Sequence, residues 1–170
     1  KQSLDALGIR ASDNKSTTVL DEHLEELWAL FNTKAYNQAI DNAKNILKNF
    51  PAAADVWNVL GISAVRIKRL DEAIEAFNQI IELRPNDSTG YINLGNIHAE
   101  LNNFDSALDS YSQALSIKSD DSMTHFNKGR VLRQLGKFRH ALDSYNRAID
   151  LNPKYTDASI HIGAVWMRMD

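Results

Sequence analysis

Five polar side chains define the chemistry open to this chain: Asn93, Asn96, Asn127, Arg130 and Arg133. They are carboxamides and guanidiniums, groups that hold ligands and break no bonds. An asparagine amide gives two hydrogen bonds and accepts others. A row of such amides can grip the backbone of an extended peptide without reading its side chains. The two arginines can take a carboxylate or a phosphate. Asn93 and Asn127 stand 34 residues apart, and so do Asn96 and Arg130. That spacing brings them together only if the chain repeats at the same period.

The residue patterns of catalysis are missing from the sequence. It has no Gly-rich phosphate loop, no H-E-x-x-H, no EF-hand loop and no nucleophile elbow. With no cysteine, disulfides, Cys-zinc sites and thiol catalysis are excluded. The histidines are His23, His98, His125, His140 and His161, and none stands at helical spacing from another or from a carboxylate cluster. No metal and no cofactor are therefore expected, and the chain reads as a non-enzyme. The pairs Asp71-Glu72 and Asp120-Asp121 fall at expected helix starts, where they complement the helix dipole.

What must position the polar residues is a repeat. Residues 54–85 read ADVWNVLGISAVRIKRLDEAIEAFNQIIELRP. A shift of 34 carries Gly61 to Gly95, Gly129 and Gly163, and Ala73 to Ala107 and Ala141, with Ala39 one step back. Phe77 becomes Tyr111 and Tyr145, and Pro85 recurs as Pro51 and Pro153. Within the stretch, Val56, Trp57, Leu60, Ala64 and Ile67 share one helical face, and Ala73, Ile74, Phe77, Ile80, Ile81 and Leu83 share another. Gly61 and Ala73 are small enough for two helices to approach closely, and Pro85 stops the second. One pair cannot bury its apolar face alone, so pairs must stack.

W-x-x-L-G…A-x-x-x-F…P at a 34-residue period resembles the tetratricopeptide repeat (TPR) family, from about Leu20 to the last residue. The resemblance implies an all-α, right-handed TPR superhelix of helix-turn-helix repeats. The expected layout is a leader or linker over 1–19 and a TPR domain over 20–170. Its repeats are 20–53, 54–87, 88–121 and 122–155, with a partial repeat at 156–170. Helices are expected over 20–32, 36–49, 53–67, 71–83, 88–101, 105–117, 122–135, 139–151 and 156–169. The first repeat is atypical, with Leu27 in the glycine position, as terminal repeats often are. Ser119 replaces the expected proline of the third. Lys128 replaces an apolar residue, so its stem should pack while its amine reaches water. His98 stands where a large core side chain is usual. Asn102 and Gly136 share a turn position that favours a left-handed residue. Lys34 and Lys68 occupy it in the first two repeats, so those turns should be less ideal or use another conformation.

In the TPR family the first helices of successive repeats line a concave groove, through repeat positions two, five, six, nine, twelve and thirteen. Carried onto this sequence, those positions give Asn58, Val59, Ile62, Val65 and Arg66 in the second repeat. The third gives Ile92, Asn93, Asn96, Ala99 and Glu100. The fourth gives Met123, Phe126, Asn127, Arg130, Arg133 and Gln134, and the last helix Ile160, His161, Met167 and Arg168. The resemblance thus implies an amide row beside two arginines, with Ile92 and Phe126 as apolar patches. The carboxylate clamp of chaperone-tail-binding TPR domains needs lysine at the fifth position of its first repeat. Leu24, Asn58, Ile92 or Phe126 stands there, so that clamp is not expected. The sequences Asn93-Leu94-Gly95-Asn96 and Asn127-Lys128-Gly129-Arg130 resemble the N-L-G-N of the O-GlcNAc transferase repeat arm, though Val59 and His161 break the row.

Composition agrees with this class. The chain has 170 residues, is 44% hydrophobic and 24% charged, and carries a net charge of −3. Near-balanced charge leaves no footprint for nucleic acid or an anionic membrane. No 18-residue apolar run and no signal-peptide core are found. Zero cysteine fits a reducing compartment, and a cytoplasmic location is expected. Ser3 to Ile9 can form a short turn ended by Gly8, with Leu4, Leu7 and Ile9 available to dock. Ala11 to Thr17 reads as a polar linker. The chain begins at a lysine and stops within a repeat, so it is expected to be a piece of a longer protein. Ile162, Val165, Trp166 and Met169 should then lack a covering helix, which either native chain or self-association through this open end would supply. The function expected is non-catalytic binding of a peptide or protein segment in the groove. The alternatives are the substrate-recruiting arm of an enzyme such as a glycosyltransferase, and a self-association module.

Overall fold

The computed structural model describes residues 10–169 and contains nine helices and no strand over them. They are α1 (Arg10–Asn32), α2 (Tyr36–Asn49), α3 (Ala54–Arg66), α4 (Leu70–Leu83), α5 (Thr89–Glu100), α6 (Phe104–Ile117), α7 (Ser122–Gln134), α8 (Phe138–Leu151) and α9 (Thr156–Met169). All but α1 match the expected helices to within one residue at either end. The all-α repeat fold is the one the sequence implies. None of the described helices is long and apolar enough to cross a membrane.

α1 differs. It begins at Arg10, so residues 11–17 are helix and not the expected linker. Helix nucleation is costly but propagation is cheap. Neither glycine nor proline occurs between Gly8 and Pro51. The apolar stripe at Leu20, Leu24 and Leu27 supplies the nucleus, and polar residues upstream cost only tenths of a kcal/mol each against alanine, on the order of 0.7 at most. The expected turn at Ser3 to Ile9, its stop at Gly8 and the docking of Leu4, Leu7 and Ile9 lie outside the described residues.

The four turns inside the repeats use one design. Lys34, Lys68, Asn102 and Gly136 all have positive φ, at 62°, 63°, 59° and 71°. In each turn the left-handed residue's N–H donates to the carbonyl three residues back: Phe31, Val65, Ala99 and Arg133. The next N–H reaches five back, from Ala35 to Leu30, Arg69 to Ala64, Asn103 to His98 and Lys137 to Leu132, at 2.8–2.9 Å. That pair of bonds is the Schellman arrangement, which satisfies orphan carbonyls at a helix end. Of the two expectations for the lysine turns, another conformation is corrected, and what remains is the same turn carrying a residue less suited to it. The two hydrogen bonds hold the chain in the same place whichever side chain occupies it.

The chain forms two compact units, divided between Ala76 and Phe77 inside α4. In the first, α1, α2 and α3 pack on one another. Leu27, Ile40, Ala43, Val56, Val59 and Leu60 are buried there. Lys44 reaches Glu72 at 2.8 Å and Arg69 pairs with the same carboxylate.

In the second unit α5 to α9 pack in sequence order, each against the next. Tyr111 and Tyr145 are its largest buried side chains. A Cβ on Gly95 would lie 2.6 Å from the Tyr111 ring, and one on Gly129 would lie 2.7 Å from Tyr145. Each glycine makes room for the ring sixteen positions on in its own repeat. Asp121 caps α7, its carboxylate accepting from the Thr124 N–H at 3.1 Å and from the buried Thr124 hydroxyl. The His125 ring nitrogen bonds the Ser119 carbonyl at 3.0 Å, in the turn that lacks proline. Lys128 is half-buried, and its amine donates to the Ser112 hydroxyl at 3.1 Å. On α9, Trp166 and Met169 are 54% and 40% exposed, but Val165 is fully buried and Ile162 packs on the α7–α8 core. Those two were expected to be uncovered. They turn toward α8, already present, while Trp166 and Gly163 turn away from it. A Cβ on Gly163 would meet nothing within 4 Å.

Candidate functional site

In the second unit, α5, α6, α7 and α9 enclose an open cleft of about 730 Å³. α5 contributes Asn96, Ala99 and Glu100, and α6 contributes Phe104 and Tyr111. α7 gives the longest run: Phe126, Asn127, Arg130, Arg133 and Gln134. α9 closes the end with Asp157 and His161. Helical spacing explains the α7 run, because residues 126, 127, 130, 133 and 134 recur every three or four positions and so share a face.

The amides are fixed from below. The Tyr111 hydroxyl donates to the Asn96 side-chain carbonyl at 2.8 Å, and the Asn127 amide donates to the same oxygen at 3.1 Å. The carbonyl of Asn96 is therefore fully used. The Asn96 NH₂ and the Asn127 carbonyl have no hydrogen-bond partner among the described residues, so the pair offers one donor group and one acceptor to the cleft. The amide contact that forms joins Asn96 to Asn127, one helical turn away from the Asn93–Asn127 pairing that the repeat spacing gives.

Asn96, Phe126, Asn127, Arg130 and Arg133, all drawn from the sequence, line this cleft. Ile92 and Asn93 sit half-buried on α5 outside it. Asn58, Ile62 and Arg66 lie on α3 of the first unit, with Asn58 and Ile62 half-buried and Arg66 exposed. Phe126 is not an open apolar patch. It is 7% exposed, with ring centroids at 5.7 Å from Tyr145, 4.9 Å from Tyr155 and 5.3 Å from His161. An aromatic at the fifth repeat position is claimed by the core because three rings gather on it. The Arg130 guanidinium sits 6.0 Å from its centroid, at the outer limit of a cation–π contact.

Burial shapes the titration of the cleft. It pushes the Tyr111 phenol up to about 12, against the pull of the Arg130 charge. It also raises Tyr145, with Arg133 and Arg130 pulling the other way, and raises Tyr155, helped by the Asp157 carboxylate. The same burial holds His161 below its ordinary value, and the Arg133 and Arg130 charges add to the effect against Asp157. At neutral pH the phenols are thus protonated and His161 is uncharged. Neither arginine forms an ion pair with a carboxylate among the described residues. The described residues also contain no group of three His, Asp or Glu able to hold a metal.

The tyrosine hydroxyls and Asp157 were not foreseen. Tyr111 and Tyr145 read as fillers equivalent to Phe77, and the signal lay in the extra oxygen. Phenylalanine suffices for packing, whereas a buried hydroxyl needs a partner.

Solved structures share the fold. MamA from Desulfovibrio magneticus RS-1 is similar with a TM-score of 0.80 at 15% identity, over 88% of this chain and 85% of that one. YrrB, a TPR protein with an unusual peptide-binding site, gives 0.72 at 18% identity, over 90% and 82%. The TPR domain of Arabidopsis OM64 gives 0.63 at 21% identity, over 66% and 93%. No curated protein matches the sequence. The sequence profiles described as "Tetratricopeptide repeat" match residues 24–88, 88–121 and 122–155. With most of its length matched in phase and its helices in the corresponding fold, the chain belongs to the tetratricopeptide repeat family, a class of protein–protein interaction modules.

Proposed function

We propose that the chain binds an extended protein segment in the cleft of its second unit, without catalysis. The observation that carries this reading is the Asn96–Asn127 pair. Tyr111 fixes Asn96, Asn96 fixes Asn127, and the two amides together present an unused donor and an unused acceptor. A peptide backbone offers the complementary acceptor and donor along an extended strand. Arg130 and Arg133 flank this pair on α7, and the similarly folded YrrB carries a peptide-binding site. On the first unit, Asn58, Ile62 and Arg66 are assigned the same kind of role on α3.

The test is a peptide library screened against wild type, Asn127→Ala and the outer-face pair Asp109→Ala with Asp143→Ala. Asn127 is the clean target, because removing Asn96 would also strand the Tyr111 hydroxyl. Each lost neutral hydrogen bond is worth about 0.5–1.5 kcal/mol. Asn127→Ala should therefore weaken diverse peptides by similar factors, since backbone contacts are sequence-blind. Binding that survives this change but fails on the outer-face pair would place the working surface elsewhere.

A further inference from the structure

The third and fourth repeats use the same tyrosine differently. Tyr111 donates to Asn96, fifteen positions before it. Tyr145 holds the matching place one repeat on, and the residue fifteen before it is Arg130. A guanidinium carries five donors and no acceptor. The exchange of asparagine for arginine therefore removes the acceptor that the phenol used. The consequence is visible: the Tyr145 hydroxyl is shut off from solvent with no hydrogen-bond partner, although the residue is fully buried. The Nε of Arg133 is likewise buried and unpartnered. The Arg133 side chain approaches this phenol without an aligned hydrogen bond, and the charges of Arg133 and Arg130 both act on it. His161 stacks on the Tyr145 ring at 5.6 Å and 22° and fixes its plane.

This corner of the cleft is thus an excess of donors. Two guanidiniums converge on a phenol that lies just behind the cleft lining and whose oxygen is the one acceptor among them, and buried polar groups are normally paired. Resting on the peptide-binding reading, we propose that the corner is a subsite for an anionic side chain of the bound segment, the carboxylate of an aspartate or glutamate. A planar carboxylate matches the fork of a guanidinium. Asp157 lines the same cleft, so the two guanidiniums leave one positive charge over, which a single negative charge balances better than a dianion does. Arg130 is exposed and held by no carboxylate, so it can close over the entering group while Arg133 Nε and the Tyr145 hydroxyl donate to it from beneath.

The probes are N-acetylglutamate N-methylamide, its glutamine counterpart and the phosphoserine counterpart, titrated into the whole chain with the arginine Nε–H and His161 ring signals followed by NMR. The glutamate probe should move the Arg133 Nε–H saturably, and the glutamine probe should not. Tyr145→Phe keeps the packing and should weaken the glutamate probe about tenfold or more, read at His161. Arg139→Gln, on α8 away from the cleft, should change nothing. An Arg133 signal unmoved by glutamate, or moved equally by glutamine, overturns the subsite. Tighter binding of the phosphoserine probe overturns the carboxylate assignment in favour of a phosphate. Unchanged library binding in Asn127→Ala refutes the backbone grip alone and leaves the probe result standing, so the two readings fail separately.

Discussion

The glycines at one repeat position should respond to the same substitution with opposite signs. In Gly129→Ala the new methyl would lie 2.7 Å from two carbons of the Tyr145 ring, and in Gly95→Ala 2.6 Å from Tyr111. Both rings are buried, and Tyr145, unlike Tyr111, does not line the cleft. Overpacking of this kind costs about 1–3 kcal/mol. Against it stands the helix preference of alanine over glycine, roughly 0.5–1 kcal/mol. Gly163→Ala has only the second effect, because nothing lies within 4 Å of its Cβ. The propensity gain is common to all three and cancels in the comparison. Gly129→Ala should thus be less stable than Gly163→Ala by about 1–3 kcal/mol, and Gly163→Ala should exceed wild type. Urea melts of the three variants, with amide exchange on α9 to separate local from global opening, give the comparison. If Gly163→Ala destabilises as much as Gly129→Ala, the glycines serve helix approach and not the tyrosine ring, and the account of the repeat contact is wrong.

Other perturbations follow from the turns and the charges. Lys34→Gly should stabilise the first unit, because a left-handed non-glycine residue costs on the order of 1 kcal/mol. Asn102→Gly should gain less, since asparagine tolerates that region, and Gly136→Ala should lose stability in thermal melts. The Lys44 hydrogen bond, with the Lys44 and Arg69 charges, holds the Glu72 carboxyl below its ordinary value despite partial burial. Its contribution is present above the unfolded carboxylate pKa and is lost as pH falls through the lowered folded value. Glu72→Gln should therefore destabilise at neutral pH and become equal to wild type in acid, as melts across that range will show. Arg133→Gln removes one of the charges that depress His161, so its NMR titration midpoint should rise part of the way toward the ordinary value, leaving the share due to burial.

Period and phase were legible because they are backbone matters. Gly95, Ala107 and Tyr111 recur as Gly129, Ala141 and Tyr145, and the helices follow them to within a residue. The turns were half legible. Lys34 and Lys68 looked wrong for a left-handed position, but two backbone hydrogen bonds per turn override a side-chain preference of about 1 kcal/mol. The start of α1 was illegible for the opposite reason. Polar composition marks a loop only where glycine or proline interrupts propagation, and residues 11–17 contain neither. On the cleft, repeat position gave Asn96, Asn127, Arg130 and Arg133 but could not say which atoms stay unused, since that depends on contacts between side chains of different helices.

Phe126 and Tyr145 show where a repeat-by-repeat reading must give way. At the fifth position Asn58, Ile92 and Phe126 look like three versions of one groove residue. Phe126 instead turns inward, because Tyr145, Tyr155 and His161 offer it three rings and water offers it none. It keeps only an edge on the cleft, and the polar members of the same helix, Asn127, Arg130 and Arg133, line it beside that edge. The tyrosine position works in reverse. Tyr111 and Tyr145 are core residues by burial, yet their hydroxyls reach the helix that lines the cleft, where one finds Asn96 and the other finds only arginines. A core position thereby reports on the surface. Where the fold repeats and the hydrogen bond does not, the difference locates the place where the chain has given up its own acceptor, and that is where the proposed carboxylate subsite lies.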